Sequence, residues 1–246
     1  MAAQTVEVAK VLTAQIVSKS AIPYREGLEF SLAKRDIAVG GQLISVNGIH
    51  GNYDDVFLPL HGIHQAHNAA LALATVEAFV GVQLDEEIVR AAFASLAIPG
   101  RFEIVHRDPT VIVDSAHNPH GMSALAQTLE QEFDFAGTFG VLAVLGDKDV
   151  DGILAELEPI IGRLVVTANK SPRALPVEDL YQRALKVFGP ERTFKEADLR
   201  SALTYAMEQC TLVNQVSDAS SAVIVAGSFV TAAEARVIVG AVKESS

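Results

Sequence analysis

A chain of 246 residues, half of them apolar, has room for one large or two ordinary domains around a substantial core. Its net charge of −11, with no run of Lys or Arg, argues against nucleic-acid binding, so any anionic ligand must be held by a few local cations. A single cysteine, Cys210, leaves no internal disulfide, and the uncharged run "ASSAVIVAGSFVTAA" is too short to cross a bilayer; a cytoplasmic protein with no membrane role is expected.

In chain order, the first expected element is a helix over about residues 4–18. A small antiparallel meander follows over residues 28–60. Gly40 and Gly41 in "DIAVGGQLISV" supply one tight hairpin, and Asn47 and Gly48 in "VNGIHGNYDDVFLPL" supply a second. Next come two helices. "HQAHNAALALATVEAFV" places Ala66, Ala69, Ala70, Leu73, Val76 and Val80 at helical spacing, and "DEEIVRAAFASL" opens on acidic residues that suit a helix N-terminus. A meander with three helices has too few strands to cover its own helices. These first hundred residues therefore read as cut from something larger.

"IPGRF" interrupts the pattern near residues 98–102, and beyond it strands alternate with amphipathic helices. Strands are expected near 103–107, 110–114, 138–145, 163–167 and 221–226, with helices near 120–132, 150–160, 177–187, 198–212 and 229–239. That alternation predicts a Rossmann-like domain with a mainly parallel sheet. The dinucleotide turn G-x-G-x-x-G is absent, so the dinucleotide version of the fold has no support.

Ligands of open parallel sheets gather beyond the carboxyl ends of the strands, where three turns stand out. In "VIVDSAHNPHG", Asp114 ends a strand, where a carboxylate can accept from ribose hydroxyls. His117 stands beside it, and Asn118 with Pro119 reads as a helix cap. In "VLGDKD", Lys148 either neutralises an anion or is a solvated lysine beside the capping Asp149. In "VAGSFVTAAEAR", Gly227 permits close backbone approach, and the Ser228 hydroxyl either caps the helix or donates to an anion.

Outside those turns, Arg101 in "PGRF" could reach a bound nucleotide or form a surface salt bridge. Gln65 and Asn68 share a helix face, and their amides have the donor and acceptor set that reads an adenine edge. His61, His64 and His67 cluster nearby without the spacing or carboxylate of a zinc site.

"LPLHGIHQAHNAALALATVEAF", "PGRFE", "VIVDSAHNPHG", "GDKD" and "GSFVTAAEAR" occur in the order seen in folylpolyglutamate synthases and bifunctional dihydrofolate synthases, a branch of the Mur ligase superfamily. The chain resembles the C-terminal half of these enzymes, most closely the actinobacterial members. The resemblance implies the tail of the central ATP-binding domain over residues 1–98, an antiparallel meander with helices, and the glutamate ligase domain over residues 99–246. It implies that Asn68 contacts adenine, Arg101 reaches the nucleotide, Asp114 binds ribose and His117 lies beside them, with Lys148 and Ser228 facing glutamate or the phosphates.

The implied reaction joins L-glutamate to the γ-carboxylate of a folate through an acyl phosphate, with dihydropteroate as a further acceptor in bifunctional members. It consumes ATP with magnesium, whose ligands are expected upstream of this chain. The intact enzyme is expected to be a monomer. The phosphate loop G-x-x-x-x-G-K-[ST] does not occur here, so the chain is expected to be inactive alone. Two other readings stay open: a binding module without chemistry, and another Mur-type amino acid ligase.

Overall fold

The computed structural model describes residues 1–216 and 220–241. The chain forms two compact units, Met1–Ala97 and Ile98–Ser246. The first holds α1 (Val6–Ser18), a three-stranded sheet of β1 (Ser31–Ala38), β2 (Gly41–Asn47) and β3 (Asn52–Leu58), then α2 (Ile63–Val80) and α3 (Glu86–Ala94). The sheet is an antiparallel meander in the order β1-β2-β3.

Both hairpins differ from the expected turns. Ala38 pairs with Gly41, so the first two-residue turn is Val39-Gly40, and Gly41 serves as the first strand residue. Gly is needed there for proximity: a Cβ on Gly41 would lie 2.2 Å from the Leu58 carbonyl oxygen. The second connection runs over residues 48–51, because Asn47 pairs with Asn52. The cause is the Glu77 carboxylate, fully buried on α2, which accepts from the backbone N–H of Ile49 and His50 and from the Tyr53 hydroxyl. The four-residue connection presents the Ile49 and His50 N–H groups to it. Burial and this carboxylate push the Tyr53 phenol up to about 12.

Glu77→Gln should therefore destabilise the first unit by about 1–3 kcal/mol in urea unfolding, because the amide turns one of two acceptors into a donor facing donors. A variant as stable as wild type would rule out the carboxylate as the organiser of the loop. The apolar side of the meander packs Ile44, Val46, Val56 and Leu58 against Ala66, Ala70, Leu73 and Ala74 of α2. Gln42, also buried, donates to the carbonyls of Leu60 and Gly62 and so fixes the entry into α2. No residue of α1 is buried.

The second unit has a six-stranded sheet. Its strands are β4 (Glu103–Arg107), β5 (Thr110–Val113), β6 (Gly137–Leu142), β7 (Arg163–Val166), β8 (Thr193–Lys195) and β9 (Ser221–Ala226), in the order β4-β5-β9-β6-β7-β8. Only the β4 edge runs antiparallel. Helices α4 (Pro119–Glu132), α5 (Val150–Leu157) and α6 (Val177–Phe188) bury Met122, Leu125, Ile153, Leu154, Leu180 and Ala184 against Ile112, Leu142, Leu164 and Ile224. Helices α7 (Leu199–Val216) and α8 (Phe229–Ile238) bury Leu203, Ala206, Ala232 and Ala235 against Val113, Val141, Val165 and Val223. Successive strand residues point to opposite faces, so uninterrupted Val/Ile/Leu runs supply both cores.

Two strands differ from expectation. β6 stops at Leu142, three residues early, yet Ala143 and Val144 stay buried, because residues 143–145 continue through bonds to other partners. Ala143 N–H donates to Ala226, Leu175 N–H to Val144, and Leu145 bridges Ala174. β8 was not predicted: three residues with one apolar side chain, Phe194, carry no alternation to read.

Candidate functional site

Placing β9 between β5 and β6 brings together turns that are far apart in sequence. Backbone bonds join them: Asp114 N–H donates to Val225, Gly227 N–H to Ala116 at 2.9 Å, and Ala143 N–H to Ala226. Gly227 has φ +120, and a Cβ on it would lie 2.3 Å from the Ala143 carbonyl oxygen. Only glycine lets the β9 turn pass this close to β6.

Asp114 sits just past β5 with 8% of its surface exposed. Its carboxylate accepts from Ala116 N–H at 2.7 Å and from Phe102 N–H at 2.8 Å. Burial raises its pKa above the ordinary carboxylate value, against the two backbone donors and the positive fields of Arg101 and His117. The carboxylate thus anchors both its own turn and the loop that carries Arg101. Phe102 in that loop has φ +43, a left-handed conformation costly for a bulky residue.

Arg101, His117 and Phe229 form one cluster. The Arg101 guanidinium carbon lies 5.3 Å from the centroid of the Phe229 ring. The His117 ring lies 5.5 Å from that centroid, tilted by 44°, and its Nδ1 is 3.0 Å from the Ser115 carbonyl oxygen. Asn118 caps α4 by accepting from Gly121 N–H at 2.8 Å, with Pro119 in the first turn.

Of the two roles open to Ser228, the structure shows the cap. The residue is 3% exposed, and its hydroxyl accepts from Thr231 N–H and from the Asn169 amide. Thr231 donates its own hydroxyl proton to Ala143 at 2.7 Å and accepts from Asn169 at 3.0 Å. A hydroxyl closed in this way shapes the start of α8 and does not face an incoming ligand.

Lys148, in the turn after β6, lies 3.4 Å from Asp147. A hydrogen bond from Arg173 holds Asp147 below the usual carboxylate range. Asp149 caps α5 through Gly152 N–H. Asn68 belongs to the first unit, exposed on α2, and its amide donates to Gln65 at 3.2 Å. His67 pairs with Glu26. Among the described residues no three His, Cys, Asp or Glu side chains gather into a metal site, and no helix is long and apolar enough to cross a membrane.

Residues 100–229 match the family model described as Mur ligase, glutamate ligase domain. The chain belongs to the Mur ligase family. Among its relatives, the dihydrofolate synthase/folylpolyglutamate synthase of Mycobacterium tuberculosis is 50% identical over 96% of this chain and 51% of its own length. The Escherichia coli protein of the same name is 31% identical over 91% of this chain and 48% of its own. The chain thus spans about half the length of these relatives.

A solved structure of the M. tuberculosis folylpolyglutamate synthase, complexed with ADP and AMPPCP, superposes with a TM-score of 0.94 at 51% identity, covering 97% of this chain and 54% of that one. E. coli FolC in complex with DHPP and ADP gives 0.76 at 27% identity, covering 94% and 51%. These likenesses bear out the α/β architecture expected of a Mur ligase C-terminal domain preceded by a meander with helices.

Three residues of these adjoining turns carry no signal in the sequence alone. Asn169 lies within the strand-to-helix stretch "VVTANKSP", the same kind of junction as the other three turns. Thr231 and Phe229 lie inside the quoted "GSFVTAAEAR", but their partners come from distant turns.

Proposed function

We propose that this chain is the glutamate-joining half of an ATP-dependent folylpolyglutamate synthase. The observation that carries the reading is the 51% identity and 0.94 TM-score to a folylpolyglutamate synthase complexed with ADP and AMPPCP. In this reading residues 1–98 are the tail of the ATP-binding domain and residues 99–246 the glutamate ligase domain. The substrates are ATP, a folate and L-glutamate, with dihydropteroate as a further acceptor. The protein works in the cytoplasm, as a monomer when intact.

The γ-carboxylate of the folate attacks the terminal phosphorus of ATP and ADP leaves; the glutamate amine then attacks the acyl carbon and phosphate leaves, forming the amide. Arg101 supplies fixed positive charge toward the nucleotide phosphates, which stabilises charge spreading in the transition state. Asp114 keeps lone pairs for the ribose hydroxyls while its N–H partners hold it in place. His117 stands at the edge of the same site, Lys148 attracts a glutamate carboxylate, and Asn68 contacts the adenine. Magnesium would shield the phosphates when bound, but the described residues do not make a site for it, and no step of this chain's chemistry is assigned to it.

Calorimetric titration with ADP and with adenosine tests the reading. Saturable binding is expected for both, and Arg101→Ala should weaken ADP about tenfold while leaving adenosine nearly unchanged, the pattern of a lost charge-assisted phosphate contact. Equal loss for both ligands would move Arg101 off the phosphates. The chain alone should add no glutamate to tetrahydrofolate; measurable turnover would overturn the division of labour.

A further inference from the structure

We propose that Phe229 is a positioning residue: its exposed ring is a platform that holds the Arg101 guanidinium, with the His117 ring against it, in place before any ligand arrives. The inference rests on the nucleotide reading of Arg101 given above.

Phe229 is the first residue of α8, directly after the capping Ser228, and 57% of its surface is exposed. A phenyl ring so placed contributes little to the core, whereas the inward positions Ala232 and Ala235 of the same helix are buried. Its contacts are instead with two candidate residues of the site, 5.3 Å to the Arg101 guanidinium carbon and 5.5 Å to the His117 ring. The negative face of an aromatic ring attracts a guanidinium at this distance. A guanidinium over a ring face also keeps its in-plane N–H donors available for phosphate oxygens.

Both ends of the arrangement are fixed from below. Phe229 is set by the Ser228 cap, which Asn169 and Thr231 hold. The backbone of the Arg101 loop is set by Asp114 through Phe102 N–H. What is left free is the arginine side chain, whose rotamer entropy would otherwise be lost at the moment of binding. Ordering it beforehand on the ring removes that loss from the binding step.

The test uses the intact 246-residue chain with nitrogen-15 relaxation at the Arg101 Nε–H group, in the absence of ligand. Wild type is expected to show an ordered side chain, Phe229→Ala one as mobile as an exposed arginine, and Phe229→Tyr the wild-type behaviour, all three with the same thermal midpoint. Unchanged order in Phe229→Ala would overturn the proposal. In ADP titrations Phe229→Ala should raise Kd roughly threefold to tenfold and have no further effect in an Arg101→Ala background.

An equal effect in both backgrounds would also overturn it, since the ring would then touch the nucleotide itself. If Arg101 loosens in Phe229→Ala while Arg101→Ala leaves ADP binding intact, the platform stands and the nucleotide reading of Arg101 falls. If the chain binds no ADP, the relaxation result decides alone.

Discussion

Gly227→Ala is expected to remove about 3–5 kcal/mol from the stability of the second unit, the sum of backbone strain and overpacking. The added methyl would lie 2.3 Å from the Ala143 carbonyl oxygen, and it would sit on a backbone with φ +120. The neighbour is main chain and cannot swing aside. Ala143 is itself tied down, since its oxygen accepts from Thr231 and its N–H donates to Ala226. Relief would have to come from parting the β9 turn from β6, which breaks the bonds that close the site. Urea unfolding of the variant reads the effect, and a loss below about 1 kcal/mol would mean that the two turns yield more easily than the geometry implies.

Asp114→Ala should destabilise by about 2–5 kcal/mol and also abolish adenosine binding, because two buried backbone donors lose their acceptor. Phe102 N–H and Ala116 N–H have no water to turn to at a site with 8% exposure. The pH dependence follows from burial, which raises the carboxyl pKa in the folded protein above that of the unfolded chain. The folded state then binds the proton more tightly. The stability this titration contributes is full below the unfolded value of about 3.9 and is lost as pH rises through the folded value. The gap in unfolding free energy between wild type and Asp114→Ala should thus be wider near pH 4 than near pH 8. A gap that widens toward neutral pH would show that the backbone donors and Arg101 outweigh burial. Nucleotide binding that survives the substitution in a folded variant would remove Asp114 from the ribose.

The alternating half of the fold was legible because its strands are continuous apolar runs and its helices keep a 3.6-residue period. β9 and α7 show this most plainly: the six residues of β9 are all buried, and Leu199, Ala202, Leu203, Ala206 and Cys210 mark one face of α7. What was not legible depends on partners distant in sequence. Nothing around Gly48 announces that Glu77 will occupy the loop after it. Likewise the Ser228 hydroxyl reads as cap or anion donor until Asn169 arrives from the β7 turn. The three turns could be named from their residue types, but which of them adjoin follows from strand order, which periodicity does not contain. Phe229 carries no signal of its own in the sequence, since an exposed phenylalanine gains meaning only from the arginine that lies on it.

The strand at the centre of the larger sheet is also the last of the described strands. Thr110 of β5 pairs with Ala222, and Gly137 of β6 pairs with Ser221, so neither strand has its inner neighbour until residues near 226 exist. During synthesis on a ribosome the edges of β5 and β6 must wait, with their N–H and C=O groups unpaired, while the chain between β6 and β9 emerges. Such late, long-range closure slows folding and leaves strand edges open to wrong partners in the meantime. A chain interrupted before Ser221 would therefore carry two half-sheets with no strand between them, and the cell would see an aggregation-prone species.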